Sequence, residues 1–383
     1  MEKFIKILKE KIKNINFNTQ KCKRCLMDET ASGISFSENG CNYCEEFLKI
    51  YEILTKNKPN LDDLKERIIR SKPINSKYDC IVGISGGIDS SYTLAKVKEI
   101  GLNPLAVHMD NGWNSELATN NIKKLISSLN VDLYTHVIQW DEYRDLMQAF
   151  FDADVIDIEL LYDNAALAVC YQQAQKYGLK FILAGTNTST EGFRMPENWN
   201  WYKFDKKNIL SISKRNNVKI KTFPTIGTID LVFFYKFKRI KWFNFLDYLE
   251  NYNKFEAISI LQDKYNFKPY PYKHYESIFT RFYQGFILIT KFGIDKRKNH
   301  LSSLILTNQM EKKEALEILK EIPYPSEKDL VEDIEFFLKK MKWKEKELEE
   351  YLQRPPKKHS TYGTEINIRN FFKKIQKIFP LPL

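Results

Sequence analysis

The stretch Tyr78-Asp79-Cys80-Ile81-Val82-Gly83-Ile84-Ser85-Gly86-Gly87-Ile88-Asp89-Ser90-Ser91 constrains this chain more than any other. A short apolar run breaks into Ser-Gly-Gly-x-Asp-Ser, and a helical pattern follows at once, from Tyr92 to Ile100, closed by Gly101. This predicts a strand, a glycine turn and a helix N-terminus in immediate succession. Backbone N–H groups at such a turn converge where the helix dipole favours negative charge, so the turn predicts a phosphate site. Gly86 and Gly87 permit positive φ and close backbone approach, and Ser85, Ser90 and Ser91 offer hydroxyl donors. Asp89 would repel a phosphate; either it caps the helix or it holds a Mg²⁺ that neutralises the phosphates. The loop is neither a Walker A loop, lacking Gly-Lys-Ser/Thr, nor G-x-G-x-x-G.

Strands and helices alternate downstream. Leu102 to Asp110 and Val131 to Gln139 read as strands. Between them lies a helix from Ser115 with Leu117, Ile122, Leu125, Ile126 and Leu129 on one face. Asn164 to Tyr177 reads as a helix closed by Gly178, and Phe181 to Ala184 as a fourth strand ending in Gly185-Thr186-Asn187-Thr188-Ser189-Thr190-Glu191-Gly192. Such alternation predicts an α/β parallel sheet with ligands at the carboxyl ends of the strands. Ser-Gly-Gly-x-Asp-Ser between the first strand and helix resembles the PP-loop ATP pyrophosphatase superfamily, whose domain is of the adenine nucleotide alpha hydrolase-like kind. The resemblance implies ATP and Mg²⁺, cleavage of ATP to AMP and pyrophosphate, and phosphate contacts from Ser85 to Ser91, Ile88 included, with Asp89 and Ser90 as catalytic candidates. It implies adenosine contacts at His108, Asp110, Asn111 and Gly185, Thr186 and Asn187. His108 reads equally as a satisfied strand histidine, and Glu191 as a second Mg²⁺ ligand or a loop carboxylate.

Cys22-x-x-Cys25 and Cys41-x-x-Cys44 have the spacing of a tetrahedral four-cysteine zinc ribbon, the knuckles joined by a small β-ribbon around Gly33 and Gly40. Lys21, Lys23 and Arg24 offset the thiolate charge. Four ligands close the coordination sphere, which suits structural zinc; an iron–sulfur cluster is the alternative. Disulfides are not expected in a chain without a secretory signal. Cys80 and Cys170 read as core residues.

The chain is too long for one core. Residues 1–72 read as a helix (Phe4, Ile5, Leu8, Ile12, Ile15), the cysteine module and a second helical segment. Residues 77–192 read as the ATP-binding domain. Residues 193–383 read as an aromatic, irregular substrate-binding region followed by helices, one opened by Ser326-x-x-Asp329 and one near Ile366 to Ile378. Lys and Arg exceed Asp and Glu by 60 to 49, a net charge of +11 that suits a solvated surface or an anionic ligand. No apolar stretch is long enough to span a bilayer, so the chain is expected to be cytoplasmic with no membrane partner.

Cys-Lys-Arg-Cys-Leu-Met-Asp-Glu-Thr, then the glycine loop, then His-Met-Asp-Asn-Gly-Trp, is similar to the N-acetyl sugar amidotransferases of the WbpG/PseA type. The similarity continues through Lys291-Phe292-Gly293 and Asn299-His300. Ile88 departs from it, standing where many relatives carry lysine. The resemblance implies conversion of an acetamido group on a UDP-linked N-acetyl sugar to an acetamidino group, in bacterial surface-glycan and O-antigen lipopolysaccharide biosynthesis. Ammonia would come from a separate glutaminase subunit, since no cysteine here suits that chemistry. Arg194, Arg281, Lys291, Lys296, Arg297 and His300 are candidates to hold the substrate's charged groups. A tRNA-thiolating PP-loop enzyme is the alternative; it would need a reactive cysteine near the nucleotide, and nucleic acid is not the expected partner.

Overall fold

The computed structural model describes residues 1–17, 19–271 and 274–375. Among them, strands β1 (Phe36–Ser37) and β2 (Gly40–Cys41) form the small antiparallel ribbon of the cysteine module. Strands β3 (Cys80–Gly83), β4 (Pro104–Asp110), β5 (Asp132–Val137), β6 (Phe181–Ala184) and β7 (Lys241–Asn244) form one parallel sheet in the order β5-β4-β3-β6-β7. The chain builds outward from β3 to β5, then crosses back to β6, so the strand order reverses between β3 and β6. That is the topological switch point at which such sheets bind ligands.

Alternation along the strands assigns the two faces. Ile81 and Ile182 pack with Ala165 and Val169 of helix Leu160–Lys176. Val82 and Leu183 point the other way, onto Leu94 and Val97 of helix Ile88–Glu99 and Leu261 of helix Lys254–Tyr265. β4 is buried along nearly its whole length, as a strand covered on both faces must be, whereas β5 alternates at the edge. The left-handed Asn130 and Gly178 end the helices before β5 and β6.

Three expectations need correction. The 77–192 segment lacks one strand of its own sheet: β7 comes from the region expected to be irregular, because Lys-Trp-Phe-Asn offers neither alternation nor a flanking turn glycine. Helix Trp140–Asp152 was not foreseen, although Tyr143, Leu146, Met147, Phe150 and Phe151 are buried at helical spacing. Residues 1–72 are not packed as a separate unit: Phe4, Leu8 and Ile12 of helix Glu2–Phe17 join the main core, with Phe4 edge-on to Phe286 at 5.9 Å. The cysteine module shares its core with Phe193, Trp199 and Ile294. Ser326 does open a helix, Glu327–Met341, accepting from Asp329 N at 3.2 Å. The last helix runs Ile366–Ile375, and its expected continuation lies outside the described residues. No described helix is long and apolar enough to cross a membrane.

His359 ties the C-terminal helices to the sheet domain. It is 1% exposed; its Nε2 accepts from Asp157 N (3.0 Å), its Nδ1–H donates to Asn208 Oδ1 (2.7 Å), and Trp201 stacks on the ring at 4.9 Å. Burial holds its pKa down to about 4; Asp157 pulls it upward and Lys203 adds to the depression. The unfolded chain, with a histidine pKa of about 6.5, therefore takes up the proton first as pH falls. Stability should drop by about 3 kcal/mol between about pH 6.5 and about pH 4 from this residue. Urea midpoints measured across that window test this, and His359→Gln should flatten the slope.

Candidate active site

From β3 the chain turns through Ser85, Gly86 and Gly87 into helix Ile88–Glu99. Gly86 sits at φ +85°, and a Cβ there would lie 3.1 Å from Ala118 O, so both conformation and space demand glycine. Ser90 Oγ pins the turn: it accepts from Ser85 N (3.2 Å), bonds Ser85 Oγ (3.1 Å) and donates to Gly87 O (3.2 Å). The first N–H groups of the helix have no intrahelical acceptor. Residues Gly87 to Ser90 line a cavity of about 450 Å³ at the carboxyl ends of β3 and β6.

Gly185 and Thr186 form the facing wall. A Cβ on Gly185 would lie 2.6 Å from both Asp89 C and Ser90 N, so the end of β6 rests directly on the loop backbone. The end of β7 and the turn after it hold this wall: Thr186 Oγ1 bonds Asn244 Oδ1 (2.6 Å), and Thr188 N donates to Asp247 Oδ1 (2.7 Å). The helix cap is Gly87, not Asp89, which corrects the capping reading. Asp89 lines the cavity with Glu191 and accepts a hydrogen bond from Tyr252 OH. Burial raises the Tyr252 phenol well above its usual range, and the carboxylates of Asp89 and Glu191 push it further. Two carboxylates and the serine hydroxyls line the same cavity, and oxygen donors of this kind are the ones Mg²⁺ takes.

Other expected contacts fall elsewhere. Ser91 is fully buried, and Asn187 caps the short helix Thr188–Glu191 by accepting from Thr190 N (2.8 Å). His108 does not line the cavity. Its Nδ1–H donates to Ile84 O (2.8 Å), its Nε2 accepts from Asn114 Nδ2 (3.0 Å), and burial lowers its pKa against the pull of the Ile84 bond and Asp110. It is a neutral brace between strand ends. Asp110 and Asn111 shape the turn after β4, accepting from Gly112 N (2.8 Å) and Trp113 N (3.1 Å).

That turn is the anchor for a distant segment. Asn114 forms a bridge with Ser277, Ser115 N donates to Glu276 O (2.9 Å), and Ile278 N donates to Trp113 O (2.8 Å). Glu276 is thereby set over the loop, 3.3 Å from where a Gly87 Cβ would be, and Tyr270 OH donates to Gly86 O (2.8 Å). Ile88 brings no charge to the cavity, whose wall also includes Lys203 and Lys254. Burial opposes the charge on Lys203, but Asp157 (2.7 Å) and Asp163 (2.8 Å) outweigh it and raise its pKa. Tyr252, Lys254, Tyr270 and Glu276 carry no local motif; the sequence offers no signal that would have found them.

Among the substrate candidates, Lys291 is corrected to a structural role: its Nζ is fully buried, bonding Asp154 (3.2 Å), Tyr351 O (2.5 Å) and Arg354 O (2.7 Å). Arg194 belongs to the cysteine module, pairing with Glu46 at 2.7 Å over the Tyr43 ring. Arg281, Lys296, Arg297 and His300 do come together, on a second cavity of about 220 Å³. There Arg281 is forked on Asp333 (2.6 and 2.5 Å), and Arg297 is held by Asp295 (2.7 Å) and the carbonyl oxygens of Ile318 and Glu321.

Cys22, Cys25, Cys41 and Cys44 are buried with all four Sγ atoms within 4.8 Å of one another. Sγ separations of 3.7 Å (Cys22–Cys44), 3.8 Å (Cys25–Cys41) and 3.6 Å (Cys41–Cys44) are close to the edge, about 3.8 Å, of a tetrahedron with metal–sulfur bonds of about 2.3 Å. Backbone N–H groups of Arg24 and Cys25 donate to Cys22 Sγ and that of Met27 to Cys25 Sγ, stabilising thiolate. The cluster can hold one metal ion.

A parallel sheet with Ser-Gly-Gly-x-Asp-Ser at the end of its central strand, facing a cavity at the switch point, is the arrangement expected of a PP-loop fold. More particularly, residues 276–376 match the family model described as LPS biosynthesis protein WbpG-like, C-terminal domain. An uncharacterized protein of Methanocaldococcus jannaschii is 30% identical over 137 residues, 34% of this chain; the chain matches about half (48%) of that relative's length. Among solved structures, the NH3-dependent NAD synthetase of Campylobacter jejuni is similar at 18% identity and a TM-score of 0.26, over 57% of this chain and 93% of its own. The U34-tRNA thiolase NcsA of Methanococcus maripaludis, with its [4Fe-4S] cluster, aligns at 14% identity and a TM-score of 0.29, over 78% and 89%.

Proposed function

We propose that the chain is an ATP-dependent, AMP-forming amidotransferase that converts an acetamido group of a UDP-linked sugar to an acetamidino group. The observation that carries this reading is the placement of the WbpG-like domain: its first residue, Glu276, lies against the glycine loop. An amide oxygen is a poor leaving group. It attacks the α-phosphorus of ATP, pyrophosphate departs, and an O-adenylyl imidate results. Ammonia then adds to the imidate carbon and AMP leaves, giving the amidine.

The protein's contribution is position and charge. The Ser85–Ser91 loop cradles the phosphates, and Lys203 and Lys254 add positive charge on the cavity wall. Asp89 and Glu191 would hold Mg²⁺, which neutralises phosphate charge when bound. Tyr252 orients the Asp89 carboxylate. The four cysteines hold structural zinc in this reading: thiolates bonded to the separate irons of a cubane must stand further apart than a single ion requires. Metal analysis should give one zinc per chain and no iron. Ammonia would arrive from a separate glutaminase, because ammonia is largely protonated at neutral pH.

Thiolation is disfavoured by Cys170. It is the cysteine on the cavity wall, and burial pushes its thiol up to about 12, leaving almost no thiolate at neutral pH. The deciding assay combines the chain with ATP, Mg²⁺, an ammonium salt and a panel of UDP-linked diacetamido sugars. AMP release with exchange of oxygen for NH in the sugar is expected. AMP release that depends on tRNA instead would overturn the reading.

A further inference from the structure

The second cavity shares Lys254 and His274 with the nucleotide cavity, so the two meet at those side chains. Its wall is built by an irregularity. Between helices Ile278–Phe282 and Leu288–Phe292 the backbone winds into a π-turn, Tyr283–Ile287. Such turns forfeit regular helical pairing and persist mostly at functional sites. This one brings Gln284 and Gly285 to the cavity. Gly285 is packed so tightly on Pro323 and Tyr324 that a Cβ would lie 2.9 Å from the Tyr324 ring.

Gln284 is oriented by a buried carboxylate. Its Nε2 donates to both oxygens of Glu159 (3.0 Å each), and Nζ of the buried Lys296 donates to Glu159 Oε2 (2.9 Å). With Nε2 committed to Glu159, Oε1 is the acceptor left to the amide, and Lys296 stands beside it as a held cation. Leu301, Leu304, Met310 and Pro323 supply apolar lining to the same cavity. A wall with hydrogen-bonding groups in one part and hydrocarbon in another matches a pyranose ring, which has hydroxyls at its edge and C–H groups on its face.

We propose that this second cavity holds the sugar ring of the acceptor, with its acetamido group at the Lys254–His274 joint and Gln284 reading a ring hydroxyl. The assignment rests on the amide-activating reading above. The test is titration calorimetry on the full chain with UDP-N-acetylglucosamine as the probe, and with ATP–Mg²⁺ in a separate titration. Gln284→Met removes the acceptor and donor at constant length; Met310→Trp fills the cavity and leaves the polar network intact. Each should weaken probe binding about tenfold or more, the scale of one lost polar contact, with ATP–Mg²⁺ affinity within about twofold of the parent chain. Equal probe binding by the parent and both variants would overturn the site alone. If the parent chain binds neither this probe nor any UDP-linked diacetamido sugar, the site and the amide-activating reading fall together.

Discussion

Gly185→Ala should abolish ATP–Mg²⁺ binding, raising Kd by about 100-fold or more, and destabilise the fold by about 1–3 kcal/mol. The added methyl would lie 2.6 Å from two backbone atoms of the loop, Asp89 C and Ser90 N, and 2.8 Å from Asp89 O. No side-chain rotation relieves a clash with main chain. Either β6 must retreat, stretching its pairing with β3 at Ile182 and Leu183, or the helix beginning at Ile88 must tilt and splay the N–H groups that face the phosphates. Nucleotide titration together with urea denaturation checks this. A variant that binds ATP as the parent does would mean that β6 does not rest on the loop.

The second large effect is expected at Asp89. Asp89→Asn keeps an oxygen that can accept from Tyr252 OH, so the thermal midpoint should shift by no more than about 2 °C. AMP formation should nevertheless fall by roughly a thousandfold, the scale of losing one preorganised charge-stabilising group in a closed site. Rate and melting temperature measured on the same preparation separate the two roles. A large drop in midpoint with little loss of rate would make Asp89 a packing partner of Tyr252 and nothing more.

Asp89 was legible in the sequence because the glycine loop is local: strand, turn and helix cap lie within a few residues, and each residue type has a conformational or donor role. Gly185, at the end of a distant strand, was named only through the resemblance. The first four strands of the sheet were legible for the same reason, as apolar runs bounded by turn residues. β7 was not, because four residues, Lys241 to Asn244, carry too little pattern, and a strand's fifth place in a sheet is decided by tertiary pairing. His108 shows a different limit. A histidine at a strand end reads equally as an adenosine contact or as a satisfied strand residue; Ile84 O and Asn114 occupy both its nitrogens, and only the assembled fold decides between the two. Lys291 was misread: its charge is answered by Asp154 and two backbone carbonyls far along the chain. Tyr252, Lys254 and Glu276 reach the cavity through long-range pairing and carry no signature that a window of sequence could register.

The bridge between Asn114 and Ser277 fixes an order of events. During synthesis the glycine loop emerges early, but the wall that faces it is braced by Asn244 and Asp247, and the loop itself is capped by Tyr270 and Glu276. Until those residues have left the ribosome, the nascent chain has a glycine loop with nothing closing over it and a sheet with an unpaired edge at β6. Long-range closure of this kind is slow and exposes sticky surface meanwhile. A chain cut before Lys241, which lacks β7 and all of those residues, is therefore expected to be aggregation-prone.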